Sequence, residues 1–223
     1  VTGKGSLSTV ETLFAEFVDG IQHGRFVPGQ RLVEADLCQE FGISRGPLRE
    51  TIRRLAAEGL VEIQHNRGAR IKRMSREELV HLYEVREVIE GLAARMAAER
   101  ATPGERDEIA AVLAAMETAI AARDHLGYAD LNIRFHALLV SAAHNPTLEQ
   151  IYQRLQTPTM RRQFRSLLET GAMLRSLEEH RVIIAAILAG DPLAAEAGMR
   201  EHLQQSGTLI ARHEAEASLS EPL

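Results

Sequence analysis

The sequence predicts an all-α fold, broken by one short β-hairpin in its first third. Ala, Leu, Glu and Arg dominate the 223 residues, aromatics make up 4% and Trp is absent, a composition that favours packed helices over a sheet-rich fold. Helix-start signals recur along almost the whole chain, with apolar residues at helical spacing between them. A fold of this size buries roughly 70% of its unfolded surface, enough to need no disulfide staples. The single cysteine, Cys38, excludes an internal disulfide and points to a reducing, cytoplasmic setting. The longest apolar runs, 109–116 and 182–189, fall far short of the roughly 18 residues that span a bilayer, so no membrane partner is expected. The opening VTGKGSLSTVETLF has no apolar core before a cleavage site, and no targeting signal is expected in it.

Ser8 and Glu11 form a capping box, after which Val10, Leu13, Phe14, Phe17, Val18 and Ile21 carry a helical stripe to about His23. Beyond a Pro28–Gly29 turn, a short second helix carries Ala35, Leu37 and Phe41 and stops at Gly42. Ser44 is placed to cap a third helix, with Pro47 in its first turn, Leu48, Ile52 and Leu55 on its apolar face and Gly59 at its end. Leu60–Ile63 and Ala69–Arg73 read as strands joined through His65, Asn66, Arg67 and Gly68. Three helices and a hairpin make a winged helix-turn-helix over residues 1–74.

From residue 75 to 223 the pattern is helical. Starts are marked by Ser75 with Glu78, Thr102–Pro103 with Glu105, Asn145–Pro146, Ser176 with Glu179, and Asp191–Pro192, and another helix lies between Leu126 and Ala143. Pro158 is expected to bend or split the helix begun at Pro146, and the tail from Ser218 to fray. Together these make a second domain, an antiparallel bundle of about six helices.

The net charge of -5 conceals two opposite parts. Residues 1–76 hold 12 basic and 9 acidic residues, a net +3, while residues 77–223 hold 14 and 22, a net -8. Nine of the basic residues fall between positions 45 and 76 against three Glu, the kind of stripe that a phosphate backbone attracts. In a helix-turn-helix the second helix enters the major groove with its N-terminal residues foremost. Here those residues are SRGPLRE, where Arg45 and Arg49 share a helical face and each guanidinium can bond O6 and N7 of guanine. Arg53 and Arg54 lie further along, nearer the backbone. Gly46 either avoids a collision with DNA or is simply tolerated in the helix at a cost of about 1 kcal/mol. The hairpin tip, His65, Asn66, Arg67 and Gly68, is suited to placing a cation in a neighbouring minor groove.

The stretch PGQRLVEADLCQEFGISRGPLRETIRRLAAEGLVEIQHNRGARI resembles the winged-helix head of the GntR family of bacterial repressors, FadR subfamily, over residues 8–73. The resemblance implies operator contacts from Ser44, Arg45, Arg49 and the wing tip. Ala35 stands where some members carry an arginine, so that base contact is absent. Residues 79–209, with YEVREVIEGLAARMAA, NIRFH, EEHRVIIAAILAGDPLAA and MREHL, resemble the FCD ligand-binding domain that accompanies this head. Spacing alone shows only that Asn132 and His136 share a face and can share a metal, with His180 and His202 on two later helices. The resemblance implies that Asn132, His136, His180 and His202 together hold a divalent metal, zinc or nickel. Asn132 replaces the commoner Asp, which weakens the site and leaves the metal's full charge to attract a carboxylate.

Arg86 falls on the apolar stripe of its helix, where a buried guanidinium must find an anion: an effector carboxylate or Glu90, four residues on. Arg200, two residues before His202, is a second, weaker candidate; the resemblance implies that arginines at such positions clamp small organic or sugar acids. The expected function is a dimeric DNA-binding regulator, a repressor of a palindromic operator, that responds to a small carboxylate. The rival is a metal-dependent hydrolase built on three histidines, for which Glu178, Glu179 and Glu201 are the acids on offer; no Ser-His-Asp set or Gly-rich phosphate loop appears.

Overall fold

Residues 9–64, 67–156 and 172–219 are described by the computed structural model, with side chains as far as His213. Among them the chain divides between Met74 and Ser75 into two units. In the first, α1 (Thr9–Gln22) buries Leu13, Phe17 and Ile21, as its spacing predicts. The Phe17 ring stacks on Phe26 at 4.8 Å, and Gly20 makes room for it, since a Cβ there would lie 2.7 Å from the Phe26 ring. Strand β1 (Arg31–Leu32) leads into α2 (Glu34–Phe41), which Gly42 terminates in the left-handed conformation. Then follow α3 (Arg45–Ala57), β2 (Val61–Gln64) and β3 (Gly68–Ile71). Leu37, Leu48, Leu55, Val61 and Ile71 close the core between helices and sheet.

Two details of this unit depart from the sequence reading. The sheet has three antiparallel strands in the order β1-β3-β2, because Arg31 and Leu32 pair with Arg70 and Ala69 on the far side of the expected hairpin. A two-residue strand is too short for alternation to reveal it. Ser44 occupies the N-cap of α3, but its side chain makes no capping hydrogen bond. Pro47 sits at the third helical position and has no N–H, which removes one of the two donors that such a cap accepts from. Ser8, His65 and Asn66 lie outside the described residues, so the first capping box and half of the wing tip do too.

In the second unit, α4 (Arg76–Arg100) and α5 (Pro103–Ala121) open with the expected capping boxes, Ser75 with Glu78 and Thr102 with Glu105. Helix α6 (His125–Ala142) is capped by Asp124 and α7 (Pro146–Leu155) by Asn145. Helix α8 (Met173–Ala189) starts one turn before the predicted Ser176, which is buried inside it. Met173 and Leu177 are buried on the same face, so the apolar stripe runs upstream of the apparent cap. Helix α9 (Pro192–Leu219) ends at Leu219, and the rest of the tail expected to fray, like Pro158, lies outside the described residues. Helices α4 and α9 approach closely at two glycines: a Cβ on Gly91 would meet Arg200 Cγ at 2.8 Å, and one on Gly207 would meet Tyr83 Cβ at 2.8 Å. The guanidinium of Arg106, on α5, donates to the carbonyls of Ala98 and Ala101 at the end of α4 and of Ile187 and Leu188 at the end of α8. Among the described residues, no helix is long and apolar enough to cross a membrane.

Candidate functional site

The first unit presents its chemistry on the surface. Ser44, Arg45, Gly46 and Arg49 are all exposed at the start of α3. No acidic residue lies in that first turn, so its N–H groups and helix dipole face outward without a counter-charge of their own. Among the described residues, nothing beyond its chain neighbours and its own helical turn lies within 4 Å of a Cβ built on Gly46, so internal packing does not require glycine there. Arg49 is held from α2, its Nε 3.0 Å from both carboxylate oxygens of Glu34. Arg54 lies over the Phe14 ring at 4.5 Å, a packing role rather than a free cation. Arg67 is exposed, and Gly68 beside it has φ 85°, a conformation that favours glycine.

The second unit buries its chemistry. His136 on α6, His180 on α8 and His202 on α9 converge until one ring nitrogen of each lies within 4.8 Å of the others, and all three are at most 3% exposed. Ligands around tetrahedral zinc stand roughly 3.4 Å apart, so a small contraction would let these nitrogens share one ion. His202 Nδ1 bonds Glu179 Oε2 at 2.6 Å. His136 Nδ1 lies 2.6 Å from Glu90 Oε2, an ion contact outside hydrogen-bond geometry. Each carboxylate engages the ring nitrogen that leaves Nε2 for a metal, as second-sphere carboxylates do in histidine metal sites. His180 has no hydrogen-bond partner on either nitrogen. Burial, reinforced by the neighbouring His202 and His136, pushes its pKa well below the ordinary value and keeps it neutral, the ligating form. Burial likewise lowers the pKa of His136, against the pull of Glu90. Asn132, one turn before His136, is buried with its Oδ1 unpartnered. An orphaned imidazole, an orphaned amide oxygen and two carboxylate-oriented histidines fit a divalent metal.

Arg86 is 5% exposed, bonds Glu90 Oε1 through Nε at 2.6 Å and lies 4.7 Å from the Tyr83 ring centre. Of the two anions left open for it, the structure supplies Glu90. Burial opposes the carboxylate charge of Glu90, but Arg86 and His136 outweigh it and bring its pKa down to about 2. Arg200 faces elsewhere in its contacts: it pairs with Glu196 at 2.8 Å and approaches Glu87 at 3.8 Å, with its side chain 38% exposed. The sequence offers Glu179 as the partner of Ser176 at a helix start and as one of three acids for a hydrolytic site, and Glu90 as a partner for Arg86; their contacts with histidines cross between helices, which spacing cannot reveal. Spacing also gives no sign of the buried hydroxyls of Tyr83, Tyr128 and Ser176; Ser176 neighbours that of Tyr128 and Arg86 that of Tyr83, without full hydrogen-bond geometry among the described residues. Burial raises the Tyr128 pKa to about 12 and so holds it as a neutral donor. A misplaced helix start hid Ser176.

Residues 9–71 match the family model for bacterial regulatory proteins, gntR family, and residues 81–205 match the FCD domain. The chain is 32% identical over 199 residues to the galactonate operon transcriptional repressor of Escherichia coli K12, covering 79% of this chain and 85% of that protein. It is 31% identical over 191 residues to the HTH-type transcriptional repressor GlaR of the same organism, covering 82% and 87%. Among solved structures it is similar to E. coli McbR/YncC, with TM-score 0.73 and 21% identity over 93% of this chain and 99% of that one, a likeness of fold.

Proposed function

This chain belongs to the GntR family of bacterial regulatory proteins and is a DNA-binding transcription regulator with an FCD effector domain, not an enzyme, and from that premise we propose how it reads DNA and what it senses. It acts in the cytoplasm as a homodimeric repressor of a palindromic operator. Ser44, Arg45 and Arg49 address the major groove, with Gly46 leaving room for the duplex and the wing tip, His65 to Gly68, reaching the minor groove. The uncapped hydroxyl of Ser44 is free for a phosphate oxygen. Val85, Val88 and Leu92 form an exposed apolar stripe on one face of α4, and this is the surface we assign to the dimer.

The sensed molecule is a small hydroxylated carboxylate. The observation that carries this reading is the buried set of His136, His180 and His202, together with the unpartnered Oδ1 of Asn132 and the buried hydroxyls of Tyr83, Tyr128 and Ser176 around the same helices. Buried polar groups without partners cost about 1–3 kcal/mol each, a cost that a polyhydroxylated ligand removes. A bound divalent metal, zinc or nickel on His136, His180, His202 and Asn132, supplies the positive charge that a carboxylate seeks. Glu90 and Glu179 orient the histidines, and Arg86 keeps Glu90 ionised. Arg200 stays at the margin, its charge matched by Glu196. The galactonate named in one relative is a molecule of this class. The effector acts by binding better to a dimer whose heads no longer match the half-site spacing.

Elemental analysis of untagged protein tests the metal: about one divalent ion per chain is expected, falling to background in His180→Ala. Calorimetric titration with galactonate, against galactitol as the uncharged control, tests the effector class. Binding of galactitol as tight as galactonate would refute the carboxylate requirement. A monomeric Val85→Glu/Val88→Glu double variant in light scattering is the expected result for the dimer surface.

A further inference from the structure

We propose that the outer face of the wing sheet is an anion site in its own right, a groove in which Arg31, Arg67 and Arg70 hold a backbone phosphodiester of the bound duplex. The inference rests on the DNA-binding reading and deepens it, because neither Arg31 nor Arg70 belongs to the reading helix or the wing tip.

The strand register is the starting point. Arg31 on β1 stands directly across from Arg70 on β3, and Leu32 from Ala69. Leu32, Ala69, Val61 and Ile71 are buried, so alternation puts the two arginines together on the opposite, outer face. Like charges directly opposite across an antiparallel pair repel in the protein alone. Glu62 is the carboxylate of that row, across from Arg70 on its other side, yet among the described residues no ion pair joins it to either arginine. Arg70 is steadied instead by a neutral group, donating from Nη2 to Gln64 Oε1 at 2.7 Å. That bond fixes the guanidinium without cancelling its charge. The side chains of Arg31 and Arg67 have no hydrogen-bond or ion-pair partner among the described residues.

These arginines line a cavity of about 420 Å³, whose other walls include Gln64, Gly29 and Gly68, and among the described residues no carboxylate lines it. Gly29 and Gly68 both have positive φ, 84° and 85°, and without side chains they keep the backbone low against an incoming group. The groove also lies close to the reading face. Arg31 is three residues before Glu34, whose carboxylate holds Arg49, and three residues span at most about 10 Å. A duplex carries one phosphate charge per about 1.7 Å of axis, so a head whose Arg45 and Arg49 reach bases has backbone phosphates within the range of this groove. Three cations of fixed or unopposed charge around an open polar cavity suit phosphate oxygens, which take charge-assisted hydrogen bonds from guanidinium donors.

Fluorescence anisotropy of the full chain with a labelled random-sequence duplex of about 30 base pairs, at salt from roughly 50 to 200 mM, tests it. The slope of log K against log salt is expected to become shallower by about 0.9 for each phosphate that Arg31→Ala leaves without a neutralising cation. Arg31→Lys, which keeps the charge, should retain the wild-type slope, as should Arg134→Ala, which removes an exposed cation of α6. An Arg31→Ala slope equal to wild type overturns the groove. So does an unchanged slope accompanied by Arg31-dependent broadening of the phosphorus NMR signal of inorganic phosphate, because the groove would then hold a free anion and not the duplex. A wild type with no salt-dependent binding would instead reject the DNA-binding reading, an outcome distinct from a mutant that binds as tightly as wild type.

Discussion

Arg45 in the first unit is exposed and has no ion-pair partner among the described residues, whereas Arg86 in the second is 5% exposed and sits 2.6 Å from Glu90. The same side chain is therefore used in two ways. In water a guanidinium can wait for its anion at almost no cost, and the N-terminal unit keeps Arg31, Arg45 and Arg67 in that condition. Buried, the charge must be matched in the fold itself, and every group around it inherits a constraint: Glu90 must be ionised, His136 must turn its Nδ1 toward Glu90, and His180 must stay neutral. The comparison separates residues that await a ligand from residues that shape a site.

Substitution of the buried cation gives the largest expected effect. Arg86→Met strands the Glu90 charge and should cost about 3–5 kcal/mol in urea unfolding, while Arg86→Met/Glu90→Leu recovers a large part of it. Arg45→Met, by contrast, should stay within about 0.5 kcal/mol of wild type. If both single variants unfold at the same urea concentration, the contrast between the units is wrong. Glu179→Gln should weaken divalent metal binding by about 10–100-fold in chelator competition, because His202 loses the charged acceptor that makes its imidazole a stronger ligand, with the fold intact. Arg45→Ala should relax base preference by about 1–3 kcal/mol at one position per half-site, read out by binding selection on a duplex library. Undiminished preference there would contradict the assignment of Arg45.

The smallest effect separates two serines that look alike in the sequence. Ser75 accepts from the Glu78 N–H at 3.1 Å, so Ser75→Ala should lower stability by about 1 kcal/mol. Ser44 makes no capping bond, so Ser44→Ala should leave stability within about 0.5 kcal/mol while weakening DNA binding. A stability loss in Ser44→Ala as large as in Ser75→Ala would remove the distinction.

Those serines also mark where local sequence rules suffice. The caps of α4, α5 and α7, the stop at Gly42 and the exposed run at the start of α3 are written within a few neighbouring residues, so the helical order could be read directly. Ser44 misled because Pro47 removes a donor its cap would use. Strand β1 escaped notice because its partner lies 39 positions on, Arg31 against Arg70, and two residues carry no periodicity. In the candidate effector site the histidines themselves could be named from the family resemblance. Their carboxylate partners could not: Glu90 and His136 lie on different helices, as do Glu179 and His202, and only packing brings them together.

The Arg106 guanidinium has a mechanical consequence. By binding carbonyls at the ends of both α4 and α8, it pins the helix that carries His180 and Glu179 to the far end of a rod about 37 Å long. The other end of that rod is Ser75, the residue that follows the last of the N-terminal unit. Those carbonyls lie at the ends of two helices, so one side chain of α5 joins the two helix ends on the side of the bundle away from the N-terminal unit's chain connection.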